Sequence, residues 1–203
     1  MPYLEKNSRD SLRVKYTKNE LLDVIVHDMQ DASKIKDVPF IITEMIKGNH
    51  NVYIKRKLDD IFLKNQAPDG MRISVYCADQ AAYNDETIMQ QLYKIYPYLK
   101  GFHINDVYKA MCDCWQVPPV KPSTKQPFYS NKPVLLGDGE MDPACRPLYM
   151  DMIHHYMPNS QRFLFIKRSH GAFGWEEGRR IVQLFLDNPY KKIESTHKDI
   201  IAY

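Results

Sequence analysis

Residues 133–174 place two short apolar runs on either side of a helical stretch. Residues 132–136 are continuous in their apolar character, as strands buried on both faces of a parallel sheet are. Residues 146–156 carry helical spacing, residues 162–166 read as a second strand, and residues 174–186 as a terminal helix with Ile181, Val182, Leu184 and Phe185 facing inward. Strand, helix, strand, helix leaves few options. The two strands must run parallel, joined by a right-handed crossover, and the helices must cover the sheet. The fold class is therefore α/β, with a parallel βαβα unit at its C-terminal end.

That topology has a chemical consequence. In an open parallel sheet, the residues just beyond the carboxyl ends of neighbouring strands share one crevice. Asp142 follows the first strand and His170 the second, 28 positions apart. A carboxylate that accepts a hydrogen bond from one imidazole nitrogen fixes the tautomer and frees the other nitrogen to take a proton. Taken alone, Asp142-Pro143 is a common turn pair and His170 an ordinary surface histidine. Their matched positions in the crossover single them out. His154 and His155 read as surface or half-buried residues of the crossover helix, and His103 has no evident partner.

Upstream, the pattern is mostly helical. Leu21, Leu22, Ile25, Val26 and Met29 form an apolar stripe, with Thr17 or Asn19 as its cap. Residues 40–46 and 53–63 read as two further helices, and Pro68-Asp69-Gly70 as a turn. In residues 71–77, Ile73, Val75 and Cys77 alternate with Arg72, Ser74 and Tyr76, which predicts a short extended segment. Residues 78–98 and 105–115 read as helices. Residues 117–127 are Pro-rich and extended, the clearest linker in the chain. The expected organisation is a mainly helical region over 1–120, a connection over 121–131, an α/β segment over 132–190 and a polar tail, loose or shortly helical, over 191–203.

Bulk properties exclude several classes. In 203 residues, a net charge of +3 with acidic and basic residues interspersed gives no footprint for nucleic acid. No apolar run approaches the roughly 18 residues that a membrane helix needs. The first residues lack a signal-peptide core, which leads to a cytoplasmic expectation for the chain as it stands. Four cysteines, Cys77, Cys112, Cys114 and Cys145, form no CxxC pair and give no zinc-finger spacing with histidine. No metal is expected. Cys114 and Cys145 read as buried small residues.

The runs Pro133-Val134-Leu135-Leu136, Gly139-Glu140-Met141-Asp142-Pro143, Met157-Pro158-Asn159-Ser160 and Ser169-His170-Gly171 resemble the C-terminal part of α/β-hydrolases, in the tripeptidyl-aminopeptidase-like and proline-iminopeptidase-like branch. Ser74-Val75, Cys77-Ala78-Asp79 and Cys112 with Trp115 are similar to the cap region of that branch. Ser169, where the family often has glycine, and Ala144-Cys145-Arg146, where it favours small residues, depart from the pattern. The resemblance implies Asp142 as triad acid and His170 as triad base, in serine-dependent hydrolysis of short peptides or esters without metal or organic cofactor. It also implies an α-helical cap, in which Cys77 and Cys112 are either a disulfide or two buried thiols. Asp79 is then either a contact for a substrate amine or a helix N-terminal acid favoured by the dipole, and Trp115 either lines the substrate site or packs the cap.

The nucleophile is not evident. α/β-Hydrolases carry it in Gly-x-Ser-x-Gly ahead of acid and base. Upstream of Asp142 stand Ser8, Ser11, Ser33, Ser74, Ser123 and Ser130, and none has glycine two places before and after it. The expectation is a C-terminal hydrolase portion that is inactive alone, whose partner is either the missing N-terminal half or a second copy joined through the exposed strand edge. The alternative is a non-catalytic binding or assembly module. An upstream signal-bearing segment would move the expected location to the periplasm or outside the cell.

Overall fold

A computed structural model describes residues 2–4, 11–13, 16–63, 70–102 and 109–203. Pro68-Asp69, His103, Ser8 and the start of the 105–115 helix lie outside them. The chain divides into two compact units, residues 1–24 with 50–126 and residues 25–49 with 127–203. Among the described residues, no helix is long and apolar enough to cross a membrane.

In the first unit, β1 (Pro2–Leu4) pairs antiparallel with β2 (Ser11–Arg13). Helix α1 (Lys18–Met29), divided between the two units after Val24, begins at a capping box: the Thr17 N–H and hydroxyl both donate to Glu20, and the Asn19 N–H donates back to Thr17 Oγ1 at 3.2 Å. Its buried positions are Val24 and Asp28, four apart, rather than the stripe centred on Leu21, Leu22 and Ile25. Helix α3 (Asn51–Leu63) buries Tyr53, Ile54 and Leu58 on one face, with the Tyr16 and Tyr53 rings 4.6 Å apart.

Residues 71–77 are not extended. They form α4 (Gly70–Val75), which runs into a wider helical turn at Tyr76–Gln80. A helix presents Cys77 to Cys112 of α6 (Lys109–Trp115), and the two are joined in a disulfide. The Trp115 indole N–H donates to Ser74 Oγ at 2.8 Å, and that hydroxyl donates to the Gly70 carbonyl one turn back at 2.9 Å. These cross-links override the β-leaning alternation of Ile73 and Val75. Residues 78–98 are likewise interrupted at Asn84. Asp85 then caps α5 (Glu86–Ile95) by accepting from the Thr87 N–H at 2.8 Å. The Pro-rich stretch lies against this unit, with the Val120 N–H on the Ala78 carbonyl at 3.0 Å.

The second unit contains α2 (Val38–Ile46), with Pro39 in its first turn, and a three-stranded sheet. Strand β3 (Val134–Gly139) pairs parallel with β4 (Ser160–Phe165), in register from Val134 opposite Ser160 to Gly139 opposite Phe165. Helix α7 (Leu148–Tyr156) makes the crossover. Alternation along β4 assigns the two faces. Ser160 and Arg162 meet α7 through His154 at 2.7 Å and Asp151 at 2.5 Å. Phe163 and Phe165 point the other way, into a core with Ile181 of α8 (Glu176–Asp187), Ala172, Ile193 and Ile200.

The tail is neither loose nor helical. Residues 200–202 form β5 (Ile200–Ala202), antiparallel to β4. Its polar approach hid two anchors, Ile193 and Ile200, which are 6% and 7% exposed. Among the described residues, β3 pairs with β4 alone. On α7, Leu148, Tyr149, Met152 and Ile153 are all at least 40% exposed.

Two measurements check this account. Replacing Cys77 and Cys112 by serine opens a crosslink spanning 35 residues, and should lower the stability of the first unit by about 2–4 kcal/mol in denaturant titrations. Gly139→Ala would set a Cβ 2.5 Å from the Arg168 and Ser169 carbonyl oxygens. It should cost about 1–3 kcal/mol or more, because backbone cannot step aside as a side chain can.

Candidate functional site

Where β3 ends, the chain turns back across the end of β4. The Glu140 N–H donates to the Phe165 carbonyl at 3.0 Å, and the Met141 N–H to the Arg168 carbonyl at 2.9 Å. From the other side, the Lys167 N–H donates to Glu140 Oε2 at 3.0 Å. The two loops beyond the parallel strands are thus stitched together. Gly139 permits this approach because it carries no Cβ at that point.

The stitching places Asp142 against His170. His170 Nδ1 lies 2.9 Å from Asp142 Oδ2. The Asp142 side chain is 3% exposed and that of His170 49%. Asp142 Oδ1 is occupied as well, accepting from the Ala144 N–H at 2.8 Å and the Cys145 N–H at 3.0 Å. Burial alone would raise this carboxyl. The hydrogen bonds from Cys145, His170 and Ala144 outweigh it and hold the group below the usual carboxylate range. An ionised Asp142 accepts the Nδ1 proton, and this tautomer leaves Nε2 as the acceptor nitrogen. The flanking residues fix the imidazole's base. Ser169, 3% exposed, donates to the Met29 carbonyl at 2.5 Å, and the His170 N–H donates to the Gln30 carbonyl at 3.1 Å. Gly171 adopts φ +77°, which turns the chain sharply away. Beside His170 opens a cleft of about 490 Å³, lined by Gln30, Asp31, Ser33, Arg168 and Trp175. The Arg168 guanidinium stacks 4.3 Å above the Trp175 ring.

Sequence reasoning missed two participants. Asp138, on β3, is 6% exposed and accepts from the Gly139 N–H at 2.8 Å. Burial, reinforced by the Asp142 charge, pushes its carboxyl up to about 6. Its signal was a single acid inside an apolar strand, Val134-Leu135-Leu136-Gly137-Asp138. Cys145 is exposed rather than buried, as is Cys114. Burial and then the charges of Asp142 and Asp138 raise its thiol. Carboxylate, thiol and imidazole donor atoms of Asp142, Cys145 and His170 all lie within 4.8 Å of one another. Its position three residues after Asp142, in a turn leading into α7, was the only clue.

Asp79 and Trp115 belong to the first unit, each with a local partner. Asp79 pairs with Lys125 at 2.6 Å and sits inside a helical run rather than at its start. Trp115 is 46% exposed and bonds Ser74.

Residues 99–192 match the family model described as TAP-like protein, of the α/β-hydrolases. No curated protein matches, and no solved structure does.

The raised Asp138 gives a pH signature. Its folded value, about 6, exceeds the unfolded value near 3.8. The folded state therefore binds the extra proton between those values, and this group costs stability as pH rises from about 4 through 6. Asp138→Asn removes that cost. The variant should gain on the parent by on the order of 1–3 kcal/mol at pH 7 and by nothing below about pH 4, as read from urea unfolding across the range.

Proposed function

We propose, from the match of residues 99–192 to the TAP-like protein model, that the chain is the acid-and-base portion of a serine-type α/β-hydrolase acting on short peptides or esters. The observation that carries the proposal is the 2.9 Å contact between His170 Nδ1 and Asp142 Oδ2, at the carboxyl ends of two adjacent parallel strands. Asp142 holds the imidazole in the Nδ1–H tautomer. His170 Nε2 takes the proton of an attacking serine hydroxyl, and the imidazolium returns it to the leaving amine or alcohol. Asp142 stabilises the cation between those steps. The half-exposed imidazole and the adjoining cleft provide room for an acyl group.

The serine comes from another polypeptide segment, because no serine upstream of Asp142 has the Gly-x-Ser-x-Gly setting. Two features of the second unit support a missing neighbour. The six-residue strand β3 has one partner among the described residues, and α7 leaves four large apolar side chains exposed. The same features favour a second reading, an assembly module in which the strand edge and helix face bind a partner and the Asp–His pair is a relic.

Fluorophosphonate labelling separates the two. The chain alone should neither label nor turn over acyl ester chromogens. Co-expression with a segment bearing Gly-x-Ser-x-Gly should yield a complex that does both. In that complex Asp142→Asn should lower kcat by about 10⁴-fold, and His170→Ala by at least as much. A stable complex that forms but neither labels nor hydrolyses would sink the catalytic reading and leave the assembly one.

A further inference from the structure

Cys145 carries a thiol that the proton relay leaves idle. Its backbone N–H helps hold Asp142 Oδ1, and the residue as a whole is exposed. Asp142, Cys145 and His170 offer one carboxylate oxygen, one sulfur and one imidazole nitrogen, all within 4.8 Å of one another. We propose that these three residues form a binding site for a thiophilic divalent cation, with Zn²⁺ as the reference ion.

The geometry requires only a small adjustment. Ligand bonds of about 2.0–2.3 Å around a tetrahedral ion set donor atoms roughly 3.2–3.8 Å apart. The widest separation here exceeds that by about 1 Å. The residue that has to stay still does so, because the Asp142 side chain is 3% exposed and two backbone N–H groups grip Oδ1. The residues that have to move are free to move, since Cys145 is exposed and His170 is half exposed. Backbone, not side chains, brings the donors together. Asp142 and Cys145 share one turn after β3, and the register of β4 delivers His170 to it. Behind Asp142 and in contact with it lies the buried carboxyl of Asp138, a second acid that makes the crevice favourable for a cation.

Donor chemistry selects the ion. Thiolate and imidazole favour zinc and cobalt over magnesium and calcium, which call for more oxygen ligands. On binding, the thiol proton passes to solvent. The Nδ1 proton leaves while Nε2 gains one, so the imidazole stays neutral and Nδ1 becomes a ligand. The cation thereby replaces the hydrogen bond between Asp142 and His170. Metal occupancy and proton transfer by His170 are mutually exclusive, so Zn²⁺ acts as an inhibitor of whatever the pair does. The site itself does not depend on the hydrolase reading, because it is defined by its donors.

The test uses the full chain, stripped of metal and kept reduced at its free thiols. Titration with Zn²⁺ against a chromophoric chelator should show one ion per chain, bound at micromolar concentration or tighter. Co²⁺ should give the near-ultraviolet thiolate-to-cobalt band. Cys145→Ser should abolish the band, and both Cys145→Ser and His170→Ala should weaken Zn²⁺ binding by about a hundredfold or more. Cys114→Ser and His154→Ala should change neither, and Mg²⁺ should not compete. A readout free of variants is alkylation by iodoacetamide: Zn²⁺ should shield Cys145 and leave Cys114 reactive. Unsaturable binding, a band that survives Cys145→Ser, or equal alkylation of Cys145 with and without Zn²⁺ would each overturn the site. None of these readouts involves hydrolysis, so a failed titration leaves the hydrolase proposal standing, and a catalytically dead complex leaves the metal site standing.

Discussion

The register of two parallel strands governs everything at the crevice. Gly139 stands opposite Phe165 as the last pair of the β3–β4 ladder, so both strands end at the same level and their loops leave in the same direction. The hydrogen bonds from Glu140 and Met141 onto the Phe165 and Arg168 carbonyls continue that ladder past the end of the sheet. A slip by one residue would invert the faces of Phe163 and Phe165 and empty the core around Ile181. The burial of two phenylalanines thus helps position a carboxylate and an imidazole beyond the ends of the strands.

Within the crevice, two neighbouring carboxyls are driven apart by their surroundings. Asp142 accepts several donors and is held ionised, while Asp138, buried with one backbone N–H and an anionic neighbour, is pushed up to about 6. Pairs of titratable groups separated in this way are what acid–base chemistry uses.

Much of the second unit was legible because its signals are local and redundant. Continuous apolar runs, helical spacing between them, and the Asp142-Pro143 and Ser169-His170-Gly171 punctuation agree with one another, and the observed strands differ from the expected ones by a few residues at their ends. The first unit was harder, because its decisive contacts are distant in sequence. Residues 71–77 alternate like a strand, but the disulfide from Cys77 to Cys112 and the bond from Trp115 to Ser74 hold them in a helix. The C-terminal residues looked polar because Ile193 and Ile200 are spaced too widely to form a pattern. Asp138 and Cys145 were invisible as a site because nothing in a linear reading shows that the turn after β3 folds back over them.

The two borders of the small sheet are unequal. On one side β5 contributes three residues and is tied down by the Asp199 carbonyl and the Tyr203 N–H. On the other, β3 offers six residues with one paired flank among those described. Strand addition therefore has a direction. The longer border offers an incoming strand twice the length of ladder that β5 does, six residues against three.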